Sequence, residues 1–265
     1  MLEIFEYDFM QRAFLAGMII SILASISGTF IVLKRYSMIS ETLAHSALVG
    51  VAVGLVAGYN PLWVAVVVAV ISAWLIEYLR SSFALYSDSI LAILLSGSLA
   101  VAVIIVSLGG AFNNSLFSYL FGSILSVTTQ DVITISVFGV FALTILLTFS
   151  KELYFIAYDE EVAKTSGIKV KMLNYLLVSV VAIIIALSIR VVGSLLIGAL
   201  MVIPTVAALQ FRVGFIPTMF ISLFFAVFSV LSGMIISFYL SLPSGATIVI
   251  CVLIFFIISL MVNKK

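Results

Sequence analysis

The only histidine of the chain, His45, follows Glu41 by four residues in the stretch SETLAHSALVG, residues 40–50. On an α-helix, residues four apart lie on one face with their Cβ atoms about 6 Å apart. A Glu oxygen and a His nitrogen placed in this way can both reach one divalent ion, and the pair suits zinc, manganese or iron. The alternative is structural: Glu41 belongs to the first turn of a helix capped by Ser40, and His45 hydrogen-bonds inside a helix bundle.

The composition indicates which solvent surrounds these residues. Of 265 residues, 65% are hydrophobic and only 9% are charged, whereas a soluble domain has about 25% charged residues. A bilayer core of about 30 Å requires about 20 apolar residues per helix. We therefore predict an all-α, polytopic membrane helix bundle, a single transmembrane domain over residues 1–265 with eight or nine spans. The candidate spans are 12–33, 40–58, 62–79, 88–108, 131–149, 171–189, 193–210, 214–240 and 246–262.

The segments between the spans predict one further helix and the orientation of the chain. Residues 116–127, LFSYLFGSILSV, are apolar but too short to span, which favours a re-entrant or interfacial helix that is tolerated at membrane depth only where it is buried in protein. Cytoplasmic loops are enriched in Lys and Arg. With the N-terminus outside and the C-terminus cytoplasmic, ten of the twelve basic residues are cytoplasmic, and Arg12 and Arg190 are the exceptions. The net charge of +1 gives no reason to expect a nucleic-acid partner.

The membrane setting favours a transported ion at Glu41 and His45. Ionisable groups within a membrane segment are costly and usually mark a substrate path. A structural metal site normally has four ligands, whereas a transported ion needs weak, exchangeable binding. An enzyme is disfavoured, because a zinc protease would carry H-E-x-x-H and the chain has no second histidine. The phosphate-binding motif G-x-x-x-x-G-K-[ST] is also absent, so the chain does not bind ATP through that motif.

Other ionisable residues have simpler predicted roles. Glu77 and Arg80, three apart at the inner end of the third span, are expected to form a local ion pair whose ends reach toward the membrane surface. Asp88 and Asp131 are each expected in the first turn of a helix, with a role for Asp88 in the transport path as the alternative. Pro204 is expected to kink the seventh span.

The longest polar connection, residues 150–171, offers a structured surface to a water-soluble partner. Within it, YDEEVAKTSGIKV predicts a short amphipathic helix that begins near Asp159 and ends at Gly167, a typical position for a glycine after a helix. Val162 and Ala163 form a small docking face, which is flanked by Glu160, Glu161 and Lys164. The alternative is an ordinary capped loop helix.

Four stretches together resemble the permease subunits of the ATP-binding cassette importers for zinc, manganese and iron. They are FLAGMIISILASISGTFIVLKRYSMISETLAHSALVGVAVG, FSYLFGSILSV, YDEEVAKTSGIKV and VVGSLLIGALMVIPTVAAL, in the expected order over most of the chain. SETLAHSALVG is the most specific part, since the family commonly has D-A-L-S-H-A. His45 therefore keeps the family's histidine, and Glu41 replaces its aspartate with a carboxylate on a longer side chain.

The resemblance implies a homodimer in the inner or plasma membrane of a prokaryote, in contact with lipid. A separate ATPase would bind the cytoplasmic loop, and an extracellular or periplasmic solute-binding protein would deliver the ion. The chain would hydrolyse no ATP and hold no permanent cofactor, because the Zn, Mn or Fe ion would be its cargo. The loop would be the coupling helix that lies in a groove of the ATPase, with the residues Asp159, Glu160, Glu161, Val162, Ala163, Gly167 and Ile168.

Two other transport functions are alternatives. A similarly built permease for an iron chelate, haem or a cobalamin-like cofactor would have a wide path that does not need Glu41 and His45. An ion-coupled secondary transporter would work without an ATPase and should have paired broken helices. Metal-stimulated ATP hydrolysis by the assembled complex would separate the first alternative from the leading prediction.

Overall fold

The computed structural model describes residues 6–83, 86–108, 114–123 and 126–262. This part of the chain contains α-helices and no strand, and eight of its helices are long and apolar enough to cross a membrane. The prediction of an all-α, multi-pass membrane protein is therefore confirmed. The helices are α1 (Asp8–Leu33), α2 (Met38–Ala57), α3 (Pro61–Ser82), α4 (Ser87–Leu108), α5 (Asn114–Phe121), α6 (Thr129–Thr148), α7 (Ser150–Tyr158), α8 (Glu160–Thr165), α9 (Val170–Val192), α10 (Ile197–Leu209), α11 (Phe215–Leu240) and α12 (Ser244–Val262).

The interior of the bundle is formed by α1, α2, α9 and α10, most of whose residues are buried. The surrounding helices α3, α4, α6, α11 and α12 carry most of the exposed large apolar side chains. Small residues allow the central helices to approach closely, as is usual in membranes. At Gly28 of α1, for example, a Cβ would overlap the carbonyl oxygen of Met201 on α10.

Helices α2 and α3 form a tight antiparallel hairpin. The Asn60 side chain accepts a hydrogen bond from the backbone at the start of α3, as N-cap residues do. A Cβ at Gly50 would lie 2.5 Å from the Cα of Ala65, and one at Gly54 would lie 2.7 Å from the Cα of Pro61. The two backbones are therefore in direct contact along much of the hairpin.

The predicted span at 193–210 is wrong in its first residues. Helix α10 begins only at Ile197 and has 13 residues, with Pro204 inside it. Residues 193–196 are not helical, and Gly193 has a φ of +94°, a value that glycine adopts readily. A helix of this length covers about 20 Å, which is less than the bilayer core of about 30 Å, so α10 alone is too short for a full span.

The predicted short helix at 116–127 is present as α5, which covers only Asn114–Phe121, and residues 124 and 125 lie outside the described part. Its end contacts the non-helical entry to α10. The backbone N–H groups of Ser194 and Leu195 donate to carbonyl oxygens of α5 at 2.9 and 3.2 Å. Non-helical backbone at membrane depth needs such partners within the protein.

The long connection at 150–171 contains two helices, of which only the second was predicted. The N-cap of α8 is Asp159, whose carboxylate accepts two backbone N–H bonds of 3.0 Å each. Its end is Gly167, with a φ of +84°, and the N–H of Ile168 donates back to the carbonyl oxygen of Ala163 at 3.2 Å. These bonds form a Schellman ending, and the predicted bounds of this helix are confirmed.

Candidate functional site

Helix α2 carries both candidate metal ligands. It begins at Met38, so Glu41 lies in its first turn and His45 in its second. The predicted cap at Ser40 is wrong, because this residue lies inside the helix and its hydroxyl donates to the carbonyl oxygen of Ser37 at 2.9 Å. The helix starts two residues before the predicted span at 40–58.

His45 is buried and incompletely hydrogen-bonded. Its side chain is 5% exposed, and among the described residues its Nδ1 has no hydrogen-bond partner. Most buried polar atoms in native proteins have a partner, and one without it is destabilising. The hydrogen bond that the structural alternative expects is therefore not seen at this nitrogen in the described part of the chain.

Glu41, in contrast, is exposed on a helix whose neighbouring residues are buried. Its carboxylate is close enough to His45 for their charges to interact. Helix α10 passes beside it: a Cβ at Gly198 would lie 3.5 Å from the Cβ of Glu41 and 3.4 Å from the hydroxyl oxygen of Ser40. Glu41 is therefore exposed at the surface of the single chain, beside α10.

Helix α4 carries another carboxylate, that of Asp88, and its start lies beside the start of α2. The hydroxyl of Thr42 donates to the carbonyl oxygen of Leu91 at 3.3 Å, which aligns the start of α4 with the start of α2. Asp88 lies exposed in the first turn of α4, as predicted. In the described residues, however, no three His, Cys, Asp or Glu side chains are grouped closely enough to hold an ion. One chain alone does not form a complete metal site there.

A cluster of charged side chains lies at the end of the bundle where α1 ends and α2 begins. The Arg80 guanidinium donates to Glu77 at 3.0 and 2.7 Å and to Glu160 of α8 at 3.2 and 3.1 Å. The predicted Glu77–Arg80 pair is confirmed, but Glu77 is 1% exposed and does not reach toward the membrane surface. Sequence reasoning named Glu160 as a coupling residue but missed its contact with Arg80, because a partner 80 residues away leaves no local pattern.

Two more side chains complete this cluster around Glu160. Asn174 of α9 donates to its Oε1 at 3.2 Å, and the Lys34 Nζ lies 4.0 Å from its Oε2 while donating to the Asn174 side-chain oxygen. Burial opposes ionisation of Glu160, but the hydrogen bond from Arg80 and the charge of Lys34 outweigh it and lower its pKa. The four charged groups Lys34, Glu77, Arg80 and Glu160 balance in sign. They connect α8 to α3 and to the end of α1, and the uncharged Asn174 connects it to α9.

The predicted coupling residues divide into three groups in the structure. Val162 is 47% exposed, whereas Ala163 is fully buried. Glu161 is also exposed, whereas Glu160 is bound to Arg80. The remaining three, Asp159, Gly167 and Ile168, form the two ends of α8. The surface open to a partner therefore centres on Glu161 and Val162.

The opposite end of the bundle has its own ion pair. Thr128 and Asp131 form a capping box at the start of α6, which confirms the helix-start prediction for Asp131. The other carboxylate oxygen of Asp131 accepts a hydrogen bond of 2.8 Å from Arg190, near the end of α9. The sequence contained no signal for this second contact.

Comparison with known proteins identifies relatives along nearly the whole chain. A "Probable metal transport system membrane protein" of Treponema pallidum is 35% identical over 254 residues, covering 96% of this chain and 95% of that one. The "High-affinity zinc uptake system membrane protein ZnuB" of Haemophilus influenzae is 29% identical and covers 98% and 99%. The "Manganese import system permease protein ScaB" of Streptococcus parasanguinis is 30% identical and covers 98% and 92%.

Solved structures have the same architecture. "PsaBC from Streptococcus pneumoniae in complex with Fab" matches with a TM-score of 0.86 at 28% identity, covering 97% of this chain and 92% of that one. "An inward-facing conformation of a putative metal-chelate type ABC transporter" has a TM-score of 0.78 at 15% identity, covering 95% and 85%, and shares the fold. The family described as "ABC 3 transport family" matches residues 6–263. With this match and the relatives above, the chain belongs to the ABC 3 transport family.

Proposed function

We propose that this chain is the membrane-spanning permease subunit of an ATP-binding cassette importer that moves a divalent transition metal ion, zinc, manganese or iron, into the cell. The observation that carries the proposal is the buried Nδ1 of His45, which lacks a hydrogen-bond partner in the described structure one helical turn from Glu41. Neutral imidazole and carboxylate both bind such ions. The names of the zinc and manganese relatives support the same cargo.

The permease acts as a homodimer whose two chains complete the metal path. A carboxylate exposed on a membrane helix is costly unless it faces protein or water, and Glu41 is exposed on the single chain. A second copy against this face supplies a second Glu41 and His45, so that two carboxylates and two imidazoles surround one passing ion. Four ligands is the number that zinc prefers, whereas one chain supplies only two at this point.

The other partners bind at opposite ends of the bundle. A separate ATPase docks on α8 at the cytoplasmic end, where Lys34 and Arg80 lie, and a solute-binding protein delivers the ion at the outer end, where Arg190 lies. The N-terminus is outside and the C-terminus cytoplasmic, in the inner or plasma membrane of a prokaryote. This orientation is supported by the excess of basic residues on the cytoplasmic side; of those residues, Lys264 and Lys265 lie outside the described part of the chain.

Metal uptake into proteoliposomes that contain the whole complex tests the proposal. We expect His45→Ala and Glu41→Ala each to lower radiometal uptake by about tenfold or more, since loss of about 1.4 kcal/mol of binding free energy already changes affinity tenfold. His45→Asp should keep part of the activity because a carboxylate can still bind the ion. Glu41→Asp should be the mildest change, because the carboxylate is retained and is the family's usual residue.

Leu43→Met is the matched control, since it is a volume-conserving change of a fully buried residue of the same helix and removes no proposed ligand. It should transport at close to the wild-type rate while all variants keep their ATPase. Uptake at the wild-type rate by His45→Ala would contradict the metal assignment. If a metal chelate stimulates ATP hydrolysis and the free metal does not, the result would instead favour a permease for a chelate or a cofactor.

A further inference from the structure

Helix α8 has few means of holding its position against the membrane helices. It has only six residues, and its one fully buried apolar side chain is Ala163. Its backbone continues into α7 and α9 but not into α3. In the described structure, the hydrogen bonds between α8 and α3 are those that Arg80 donates to Glu160.

This contact is stronger than an ordinary surface ion pair. Arg80 engages Glu160 through two N–H groups in the two-pronged arrangement that is the most favourable for a guanidinium and a carboxylate. The Glu77 carboxylate is buried beneath it and holds the guanidinium from the other side. Removing Arg80 would leave the buried Glu77 carboxylate without its partner, which is strongly unfavourable, so the guanidinium is fixed on α3 in the position from which it reaches Glu160. We therefore expect the contact to move with α8 and α3 together.

Helix α3 in turn is joined to the helix that carries the metal pair. The close approach at Gly50 and Gly54 leaves no space between the α2 and α3 backbones, and packed helices of this kind move together because interiors are dense. A displacement of Arg80 along the α3 axis therefore also displaces α2, which carries Glu41 and His45.

We propose that the Arg80–Glu160 ion pair is the contact that transmits the movement of α8 to the α2–α3 hairpin, and thereby couples events at the ATPase to the opening of the metal path. This inference rests on the proposed function for its energy source and its cargo. Arg80 and Glu160 are positioning residues, since neither is among the proposed ligands, and Glu77 and Asn174 keep them aligned. The pair bridges two helices that no short loop connects.

The test measures metal uptake and ATP hydrolysis by the same reconstituted complex. In Arg80→Gln and Glu160→Gln, we expect the ATPase to remain bound and hydrolysis to continue, while the number of ions moved per ATP falls on the order of tenfold, within the usual range of coupling between sites. Lys151→Gln, which removes an exposed charge from neighbouring α7, should keep the wild-type ratio. A wild-type ratio in both glutamine variants would overturn the inference.

A charge exchange separates transmission from simple loss of folding. The variant Lys34→Met/Arg80→Glu/Glu160→Arg again pairs one guanidinium with carboxylates across α3 and α8, and the change at Lys34 removes the cation that lies 4.0 Å from the Glu160 carboxylate and would repel the new guanidinium. The exchanged protein should recover most of the ions moved per ATP that the single variants lose. If a single variant fails to assemble, the exchanged protein should assemble again. An exchanged protein that assembles, hydrolyses ATP and still moves few ions would overturn the inference.

A distance measurement that does not depend on the cargo distinguishes this inference from the proposed function. Spin labels at Ile71→Cys on α3 and Phe220→Cys on α11, both exposed positions, in a Cys251→Ser background should change their separation when the complex binds ATP. Arg80→Gln should abolish this change. If the wild-type protein moves no metal but shows this change in distance, the proposed cargo is wrong and the proposed role of the ion pair stands. If the change in distance persists in Arg80→Gln, the proposed role of the ion pair is wrong.

Discussion

Lys34 lies where α1 ends, beside the charged cluster, and its side chain is 9% exposed. Burial and the charge of Arg80 lower its pKa from 10.5 to about 8, against the opposing effect of Glu160 and Glu77. Burial also raises the pKa of nearby Tyr36 well above its ordinary value. Lys34 is thus a group of this cluster whose charge changes at mildly alkaline pH.

The lowered pKa makes the stability of the protein depend on pH in a defined direction. Between about pH 8 and 10.5 the unfolded chain holds a proton that folded Lys34 has released, so the free energy of unfolding rises with pH; below this window both states are protonated. From pH 7 to 9.5 wild type should gain about 2 kcal/mol relative to Lys34→Met, in unfolding experiments in detergent. Lys151→Met is the control, and a Lys34→Met variant with the same pH dependence as wild type would contradict the prediction.

Individual residues were predictable where their partners are close in the chain. The Glu77–Arg80 pair and the capping role of Asp131 follow from spacings of three residues. The contacts of Glu160 and Arg190 with distant helices do not, because the sequence alone does not state which helices become neighbours. The sequence also did not predict that Glu41 is exposed while His45 is buried. Helical spacing places both residues on one face of α2, but it does not show which other helices pack against that face.

At the scale of single elements, α8 exposes a small surface that a partner can reach. Val162 is expected to contact the ATPase, and Val162→Asp should lower the amount of ATPase that co-purifies by about tenfold or more, because burying a valine contributes about 1.5–3 kcal/mol. Val213→Asp, a similarly exposed valine outside α8, should leave co-purification unchanged. Equal losses in the two variants would indicate a general effect of a new charge and would contradict docking through α8.

The lengths of the elements were less predictable than their existence. Apolar content predicted a full span at 193–210, because hydropathy counts residues without regard to backbone conformation. The helix begins four residues later because Gly193 adopts a positive φ and the following N–H groups bind α5. The compensating partner lies more than 70 residues earlier in the chain, which explains why no local pattern indicated the break.

For the whole molecule, the orientation is open to a direct chemical test. In a Cys251→Ser background, Leu242→Cys in the connection between α11 and α12 should react with an impermeant thiol reagent in intact cells, and Thr165→Cys at the end of α8 should not. Both positions are exposed, so a difference in labelling reports the side of the membrane. Labelling of Thr165→Cys and not of Leu242→Cys would reverse the proposed topology.

The contact between α5 and residues 194–195 also imposes an order on the biogenesis of the protein. The α5 carbonyl groups that accept these bonds have no such partner until the ribosome has made the distant segment that supplies the N–H groups. At about 5–20 residues per second, this delay lasts roughly 4–15 s. During this time water is the available partner for these carbonyl groups, so we expect α5 to stay in the headgroup region until α9 and the entry to α10 have been made.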